Sequence, residues 1–292
     1  MSSLQQLTCK NEKRKEEAKN KQGIFLRSLV VPLLLLVVWQ IIGSAGYVSK
    51  TVLPTPVDII LSFKQLIVSG ELGANLQISI LRAAIGFAVG AGLGLLFGVI
   101  VGFSKKTEHY MDPSIQMLRT VPHLALAPLF ILWFGFGEIS KILLIANGAF
   151  FPIYVNTYLG IRGVDSKLFD VARVLQFSKW KQITKLILPA ALPSILLGVR
   201  LSLGIAWLGL VVAELMGASE GVGYMIMDAR QFSQTDVVFV GIIIFAVVGK
   251  LTDSFVRVLE KRLLKWRDSY AGENKRRIYI RINPCKSISF IS

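Results

Sequence analysis

Six stretches of about twenty mostly apolar residues constrain the fold of this chain more than any other feature. A helix that crosses the hydrocarbon core of a bilayer needs about twenty such residues, because each residue adds about 1.5 Å of length. The six stretches cover 28–45, 78–103, 114–134, 139–159, 190–215 and 237–258. Inside a bilayer, a single segment satisfies its backbone hydrogen bonds only as a helix. The sequence therefore predicts an all-α integral membrane protein with six transmembrane helices.

Lysine and arginine are distributed unevenly around the predicted spans. The formal net charge is +15, and the basic residues concentrate in the N-terminal tail 1–27, in the loops after the second and fourth spans, and in the C-terminal part of the chain. Cytoplasmic loops of membrane proteins carry such an excess, so both termini are predicted to be cytoplasmic. Aromatic residues do not alternate with the basic ones, which argues against a nucleic acid partner. The tail 271–292 is predicted to be a disordered basic extension.

The first apolar stretch has a second interpretation. Gly43-Ser44-Ala45 resembles the small-residue cleavage site of a secretory signal peptide. The charged leader before the apolar core is longer than that of an ordinary signal peptide, which favours a retained span. The arrangement predicted for the other five spans is the same in both cases. Between the first two spans, apolar residues at helical spacing predict a short amphipathic helix on the outer surface.

The second predicted span contains glycines at every fourth position. These are Gly86, Gly90, Gly94, Gly98 and Gly102. Small residues at this spacing let helix backbones approach closely in a membrane, where lipid supplies no hydrophobic driving force. The pattern predicts a helix that packs deep in the bundle or at a contact between subunits, and it says nothing about the substrate.

Polar residues and prolines in the third and fourth predicted spans are candidates to line a pathway. Pro122 and Pro128 each remove a helical hydrogen bond, so the third span is expected either to bend around a wet cavity or to kink for packing alone. His123 has no second ligand at metal-binding spacing, and no metal site is predicted. Asn147 and Asn156 either line a polar path or form hydrogen bonds between helices.

Ionisable residues at membrane depth are few. Glu214 lies toward the outer end of the fifth predicted span, where a carboxylate either contributes to the pathway or faces the outer water. Arg200, Lys250 and Asp253 are expected to reach the interface or to pair with neighbouring helices.

The sequence offers no motif for catalysis. Gly249-Lys250 is followed by Leu251, so it does not form the phosphate-binding loop of an ATPase, and an H-E-x-x-H motif does not occur. The two cysteines lie near opposite ends of the chain, which excludes a C-x-x-C site. The chain is therefore predicted not to be an enzyme and to hold no cofactor or metal. If it moves a solute uphill, another chain must supply the energy.

A charged segment, 160–189, separates the fourth and fifth predicted spans. It is much longer than the two to eight residues that usually join bundle helices. Leu168, Val171, Ala172 and Leu175 follow a helical rhythm, and the basic residues fall largely on other positions. The spacing predicts an amphipathic helix on the cytoplasmic face, a turn and a second helix. A helix that rests on lipid headgroups is the alternative.

The sequence DVARVLQFSKWKQITKLILPAALPSI within and after this segment resembles the coupling loop of binding-protein-dependent ABC importer permeases. The family pattern has an acidic residue, two small residues and a glycine four positions later. Asp170 and Ala172 match it, whereas Val171 and Gln176 depart from it. Glycine permits a positive φ, so Gln176 is expected either to bear a cost of about 1 kcal/mol or to turn differently.

The resemblance extends from about residue 53 to residue 267. Over this range the sequence is similar to the subgroup of permeases that serves aliphatic sulfonates, taurine and nitrate. ELGANLQISILRAAIGF and VAELMGASEGVGYMIMDARQFSQTDVV are among the stretches that carry it. It implies a type I ABC importer permease in a bacterial inner membrane, in contact with lipid. The implied partners are a second permease copy or a paired permease, a cytoplasmic ATPase dimer that binds the ATP, and a periplasmic binding protein.

The resemblance also implies a substrate and a set of coupling residues. An aliphatic sulfonate is the first expected ligand, with taurine, nitrate or another small ligand as alternatives. Selectivity is expected in the binding protein, because no cluster of basic residues lines the middle of the spans. The implied contact residues for the ATPase are Asp170, Val171, Ala172, Leu175, Gln176, Trp180 and Pro189.

Two other classes of membrane protein fit the sequence less well. A stand-alone secondary transporter or channel is expected to show inverted repeats or an embedded proton or sodium relay, and neither is visible in the sequence. A membrane-embedded enzyme or scaffold is disfavoured by the lack of catalytic clusters.

Overall fold

A computed structural model describes residues 30–264. The predicted tails 1–27 and 271–292, both cysteines and the first two residues of the predicted first span lie outside this range. Within it the chain is almost entirely helical. The helices are α1 Val30–Ser44, α2 Pro56–Val68, α3 Glu71–Phe103, α4 Lys105–Arg119, α5 Ala127–Phe134, α6 Glu138–Arg162, α7 Ser166–Val174, α8 Lys179–Gln182, α9 Leu188–Gly217, α10 Val222–Gln231 and α11 Thr235–Leu263. A 3-10 turn, His123–Leu126, precedes α5, and a π-helical turn, Ile183–Ile187, joins α8 to α9.

Four continuous helices between residues 30 and 264 are long and apolar enough to cross a membrane. They are α3, α6, the continuous run Lys179–Gly217 that includes α9, and α11. The third predicted span, 114–134, falls on a pair of helical segments, Lys105–Arg119 and His123–Phe134, which meet at an angle of 83°. Counting that pair as one span gives five, and α1 is a shorter apolar helix. The six-span count stays a prediction.

The chain divides into two compact units, and the first consists of the described residues up to Glu71 together with Asp228–Val240. The predicted amphipathic helix between the first two spans is α2. Its N-terminus is fixed by a reciprocal capping box, in which Thr55 accepts from the backbone N–H of Asp58 and Asp58 accepts from that of Thr55. The Thr55 hydroxyl also donates to the Asp58 carboxylate at 2.8 Å, and this hydrogen bond, together with the one from the Thr55 N–H, lowers the pKa of Asp58. The Ser62 hydroxyl of α2 donates to the carboxylate of Asp236 at the start of α11.

The second unit consists of Leu72–Met227 together with the described residues from Gly241 onward. Here α3 packs along α6 through the predicted glycine face. A Cβ atom at Gly90 would lie 2.1 Å from the Ala146 carbonyl oxygen, and one at Gly94 would lie 2.5 Å from that of Phe150. The other three glycines of the face are also buried, beside α6 residues between 142 and 161. The glycine face is therefore used for packing inside the chain.

Helix α6 is the central element of this unit. It packs against α9 as well as α3, and the Ser202 hydroxyl of α9 donates to the Ala149 carbonyl of α6 at 2.7 Å. Leu144, Ile145 and Tyr154 of α6 are fully buried. Because α6 has neighbours on several sides, polar residues on its remaining face are held at fixed positions.

Candidate functional site

A cavity of about 430 Å³ lies in the second unit, where the chain bends between α4 and α5. The bend forms one wall, and α6 and α9 form the others. The lining residues are Arg119, Thr120, Val121, Pro122, His123, Asn147, Gly148, Phe151, Pro152, Val155, Asn156, Leu201 and Ile205. The structure thus brings together Pro122, His123, Asn147 and Asn156, four of the residues proposed from the sequence to line a pathway. These positions are up to 34 residues apart in the chain.

The bend follows from the local sequence. Helix α4 ends at Arg119, and the Thr120 hydroxyl donates to the Met117 carbonyl at 2.6 Å, which satisfies an acceptor of the last turn. Pro122 has no N–H to continue the helix, and its ψ of 112° directs the chain away before the turn at His123 begins. Of the two interpretations left open by the sequence, a bend that lines a cavity is the one observed.

The imidazole of His123 fixes one side of this cavity. Asn147 Nδ2 lies 3.1 Å from His123 Nδ1, so the amide donates to the ring when Nδ1 is unprotonated. The tip of the ring fits between two helices, since a Cβ atom at Gly148 or at Gly209 would lie 2.9 Å from Nε2. Nε2 has no hydrogen-bond partner among the described residues. Residues 30–264 contain no group of side chains that could hold a metal ion.

Arg119 is a charged lining residue that was not among the candidates proposed from the sequence. Its side chain is exposed, and it forms no ion pair with a carboxylate of residues 30–264. Two arginines of the long helices do have such partners: Arg162 pairs with Glu108, and Arg200 pairs with Asp253 at 2.9 Å. The sequence does contain a signal for this residue. Arg119 is a cation inside the apolar stretch 114–134, which contains no acidic residue.

Glu214, the fifth candidate, lies elsewhere in the unit. It does not line the cavity, and it is only 1% exposed. Its carboxylate accepts from the Ser79 hydroxyl at 2.7 and 2.9 Å, from the Gly223 N–H at 2.9 Å and from Arg82 Nη1 at 3.0 Å. The carboxylate therefore belongs to a buried polar cluster between α3, α9 and α10, and does not face the outer water.

Arg82 is the centre of that cluster. Its Nε and Nη2 donate to the two carboxylate oxygens of Glu138 at 2.6 and 2.7 Å, and its Nη1 also donates to the Glu220 carbonyl at 2.6 Å. Lys141 pairs with Glu138 at 2.9 Å. Sequence reasoning missed this cluster, although Arg82, Glu138 and Glu214 all lie near the same end of three predicted spans. Opposite charges at the same depth in the membrane were the signal that could have revealed the cluster.

The segment between α6 and α9 has the predicted order of helix, turn and helix. Asp165 caps the N-terminus of α7 by accepting from the Lys167 N–H at 3.0 Å. The C-terminus of α7 has the hydrogen bonds of a Schellman motif, from Phe177 to Ala172 and from Gln176 to Arg173. Gln176 has a φ of 52°, so it adopts the left-handed conformation that glycine would take without strain. Of the two outcomes expected for this residue, the structure shows the strained one.

The outer face of this segment presents apolar side chains. Val171 is 53% exposed, Leu175 is 58% exposed and Trp180 is 73% exposed. Ala172 is fully buried on the opposite face, and Pro189 stands in the first turn of α9. The carboxylate of Asp170 is solvent-exposed and lies 3.6 Å from Arg173. Val174, at 83% exposed, is a further large apolar side chain of this segment that is left uncovered within the second unit.

Comparisons with known proteins identify the relatives of this chain. Residues 90–265 match the family model described as binding-protein-dependent transport system inner membrane component. The aliphatic sulfonates transport permease protein SsuC of Bacillus subtilis is 71% identical over 259 residues, which cover 89% of this chain and 94% of the relative. The protein of the same name from Escherichia coli is 49% identical, over 82% of this chain and 91% of its own length.

A solved structure supports the fold. An inward-facing conformation of the MetNI methionine ABC transporter superposes with a TM-score of 0.50. The match covers 62% of this chain and 92% of that chain, at 17% sequence identity. At this identity the likeness concerns the arrangement of helices alone.

Proposed function

Because the chain belongs to the family of binding-protein-dependent transport system inner membrane components, as a permease subunit of an ABC importer, we propose that it forms the translocation pathway for aliphatic sulfonates. The proposed substrate is supported by the 71% identity, over 89% of this chain, to a relative named for the transport of these anions. Taurine, nitrate and other small ligands are the alternatives that the sequence resemblance leaves open.

We propose that α7, the Gln176 turn and α8 form the coupling helix that docks on a cytoplasmic ATPase. Three exposed apolar side chains at Val171, Leu175 and Trp180 support this role, because burying them against a partner would remove apolar surface from water. The π-helical turn and α9 follow directly, so a displacement of α8 would be transmitted to a helix that lines the cavity.

The remaining parts of the importer are assigned on the same basis. The chain has no phosphate-binding loop in its sequence, so the partner ATPase dimer binds and hydrolyses the ATP. Two permease copies pair around one pathway, a periplasmic binding protein delivers the sulfonate, and both termini lie on the cytoplasmic side. The pathway has six spans, made of α1, the bent pair and the four long helices.

Uptake and copurification test this assignment. In cells without another sulfonate importer, the chain with its ATPase and binding protein should allow growth on pentane-1-sulfonate as the sole sulfur source, and the ATPase should copurify with the permease. Asp170→Lys and Trp180→Ala should leave the permease in the membrane but abolish uptake. In the case of Trp180→Ala, the ATPase should also be lost on purification.

Tyr47→Ala is the matched control, because Tyr47 is an aromatic side chain that is 85% exposed and lies outside the coupling segment. It should retain the ATPase. Normal uptake by Asp170→Lys would overturn the assignment of the coupling segment. Uptake that persists without any ATPase partner would overturn the importer mechanism itself.

A further inference from the structure

The cavity at the bend between α4 and α5 has the chemistry of a binding site. We propose that it is a sulfonate subsite within the permease, in which Arg119 binds the anionic head group and the apolar wall formed by α6 and α9 holds the alkyl chain. The proposal rests on the proposed function and deepens it, because it gives the permease a share of the selectivity that the sequence analysis placed in the binding protein.

The positive charge of Arg119 favours an anionic ligand in the cavity. A guanidinium group inside a membrane-spanning region is costly unless it has a partner or faces a water-filled cavity. Arg82, Arg162 and Arg200 all have carboxylate partners, whereas Arg119 has none within residues 30–264 and lines the cavity. An anion in the cavity would supply the missing partner through charge-assisted hydrogen bonds.

The cavity lies near the middle of the candidate spans that line it. Asn147 lies about 14 Å along α6 from Glu138, and Asn156 lies about 9 Å from Arg162, at 1.5 Å per residue. The two asparagines therefore stand on either side of the midpoint of a candidate span. Leu201 and Ile205 likewise stand near the midpoint of α9. A cavity at mid-span is where a solute must pass in either direction.

The hydrogen-bond donors of the cavity match the acceptors of a sulfonate. A sulfonate presents three acceptor oxygens and no donor. Arg119 has five donor hydrogens, and the Asn147 amide keeps a second N–H after its hydrogen bond with His123. Asn156 likewise keeps a second N–H beyond the one donated to the Pro152 carbonyl at 2.8 Å. His123 acts here as a positioning residue, because it fixes the Asn147 amide.

The apolar wall of the cavity discriminates among the alternative ligands. Phe151, Val155, Leu201 and Ile205 line the side of the cavity formed by α6 and α9, and the volume of about 430 Å³ is within the usual range for small-ligand pockets. Nitrate has no alkyl chain to use this wall. Taurine carries an ammonium group, and none of the residues that line the cavity in the described chain is acidic. An alkanesulfonate has both an anionic head group for Arg119 and an alkyl chain for the apolar wall.

The test measures binding by the permease itself. The permease with its ATPase partner, in lipid nanodiscs without the binding protein, is titrated with pentane-1-sulfonate, and with pentan-1-ol and taurine as comparison ligands. The wild type should bind the sulfonate in preference to both. Arg119→Gln should weaken sulfonate binding by about tenfold or more, because it removes a charge-assisted interaction, and should leave the binding of pentan-1-ol unchanged. Arg119→Lys keeps the charge, so its affinity for the sulfonate should lie between that of the wild type and that of Arg119→Gln.

Arg230→Gln is the matched control, because Arg230 is also an exposed arginine without an ion-pair partner in the described chain but does not line the cavity. It should bind sulfonate as the wild type does. A second measurement does not depend on Arg119: affinity should rise by about fourfold per methylene from methane- to pentanesulfonate, and Ile205→Ala should reduce that increment.

The outcomes separate this subsite from the proposed function. If the wild type takes up pentanesulfonate in cells but its nanodisc complex does not bind it, the subsite is wrong and the importer assignment stands. Unchanged binding by Arg119→Gln, or affinity that does not change with chain length, also overturns the subsite. If wild-type cells take up no alkanesulfonate at all, the proposed substrate is wrong.

Discussion

Arg82 illustrates how much one residue can contribute in a membrane protein. It is 4% exposed and holds Glu214, Glu138 and the Glu220 carbonyl at once, so it joins α3, α6 and the turn after α9. Because Glu214 is fully buried, removal of the guanidinium would leave a carboxylate without its cationic partner. Breaking a buried ion pair from one side typically costs about 3–5 kcal/mol.

We therefore expect Arg82→Leu to lower the stability of the purified permease by about 3 kcal/mol or more. Thermal unfolding in detergent measures this loss. The double variant Arg82→Leu with Glu214→Leu removes both charges and should recover part of it, since replacing a buried pair by apolar residues is often close to neutral. A double variant as unstable as the sum of the two single variants would show that the pair is not coupled.

The polar residues of the spans could be predicted from the sequence, but their partners could not. Pro122, His123, Asn147 and Asn156 were identified because polar groups and prolines are rare in apolar stretches, and the structure brings all four to one cavity. The sequence does not show which distant residue meets which. Glu214 was therefore placed correctly along its helix but was not paired with Arg82, and Arg119 was not recognised as unpaired.

The glycine face of α3 is the feature at the element scale with the sharpest test. Gly90 has no room for a side chain, because its Cβ atom would lie 2.1 Å from the Ala146 carbonyl oxygen. Gly90→Ala must therefore push α3 away from α6. We expect a loss of about 1–3 kcal/mol, the usual range for an overpacked core, measured by thermal unfolding of the purified protein.

Gly92 is the control on the same helix, since a Cβ atom there would meet nothing within 4 Å. Gly92→Ala should be neutral or slightly stabilising, because alanine is the better helix former. Equal destabilisation by the two variants would mean that α3 is sensitive to any added methyl group, and that the close approach to α6 is not the cause.

At the element scale, the positions of most helices were predicted from the length of the apolar stretches. The second, fourth, fifth and sixth predicted spans fall within α3, α6, α9 and α11, because length and hydrophobicity are properties of a single segment. The third did not form one straight helix. Its direction depends on how α4 and α5 pack on the rest of the bundle after the helix is interrupted at Pro122, and that packing is not encoded locally. The order of helix, turn and helix in 160–189 was predicted correctly because the turn lies between two local helices, whereas the coupling role of this segment stays a prediction.

At the scale of the whole molecule, the number of spans and the side of the termini are a single question. Both ends lie on the same side of the membrane only if the number of spans is even. The described chain contributes four long apolar helices and one bent pair, and α1 would complete six. Under this count, the excess of basic residues predicts that both termini lie on the cytoplasmic side.

The only two cysteines of the chain, Cys9 and Cys285, provide the test without any substitution. We expect a membrane-impermeant maleimide to label neither of them in intact spheroplasts and to label both after the membrane is permeabilised. Tyr47→Cys, between α1 and α2, should be labelled from the outside and shows that the reagent reaches the outer face. Labelling of one tail in intact cells would require an odd number of spans. The absence of Cys9 from the purified protein would instead support the cleaved signal peptide, with five spans remaining.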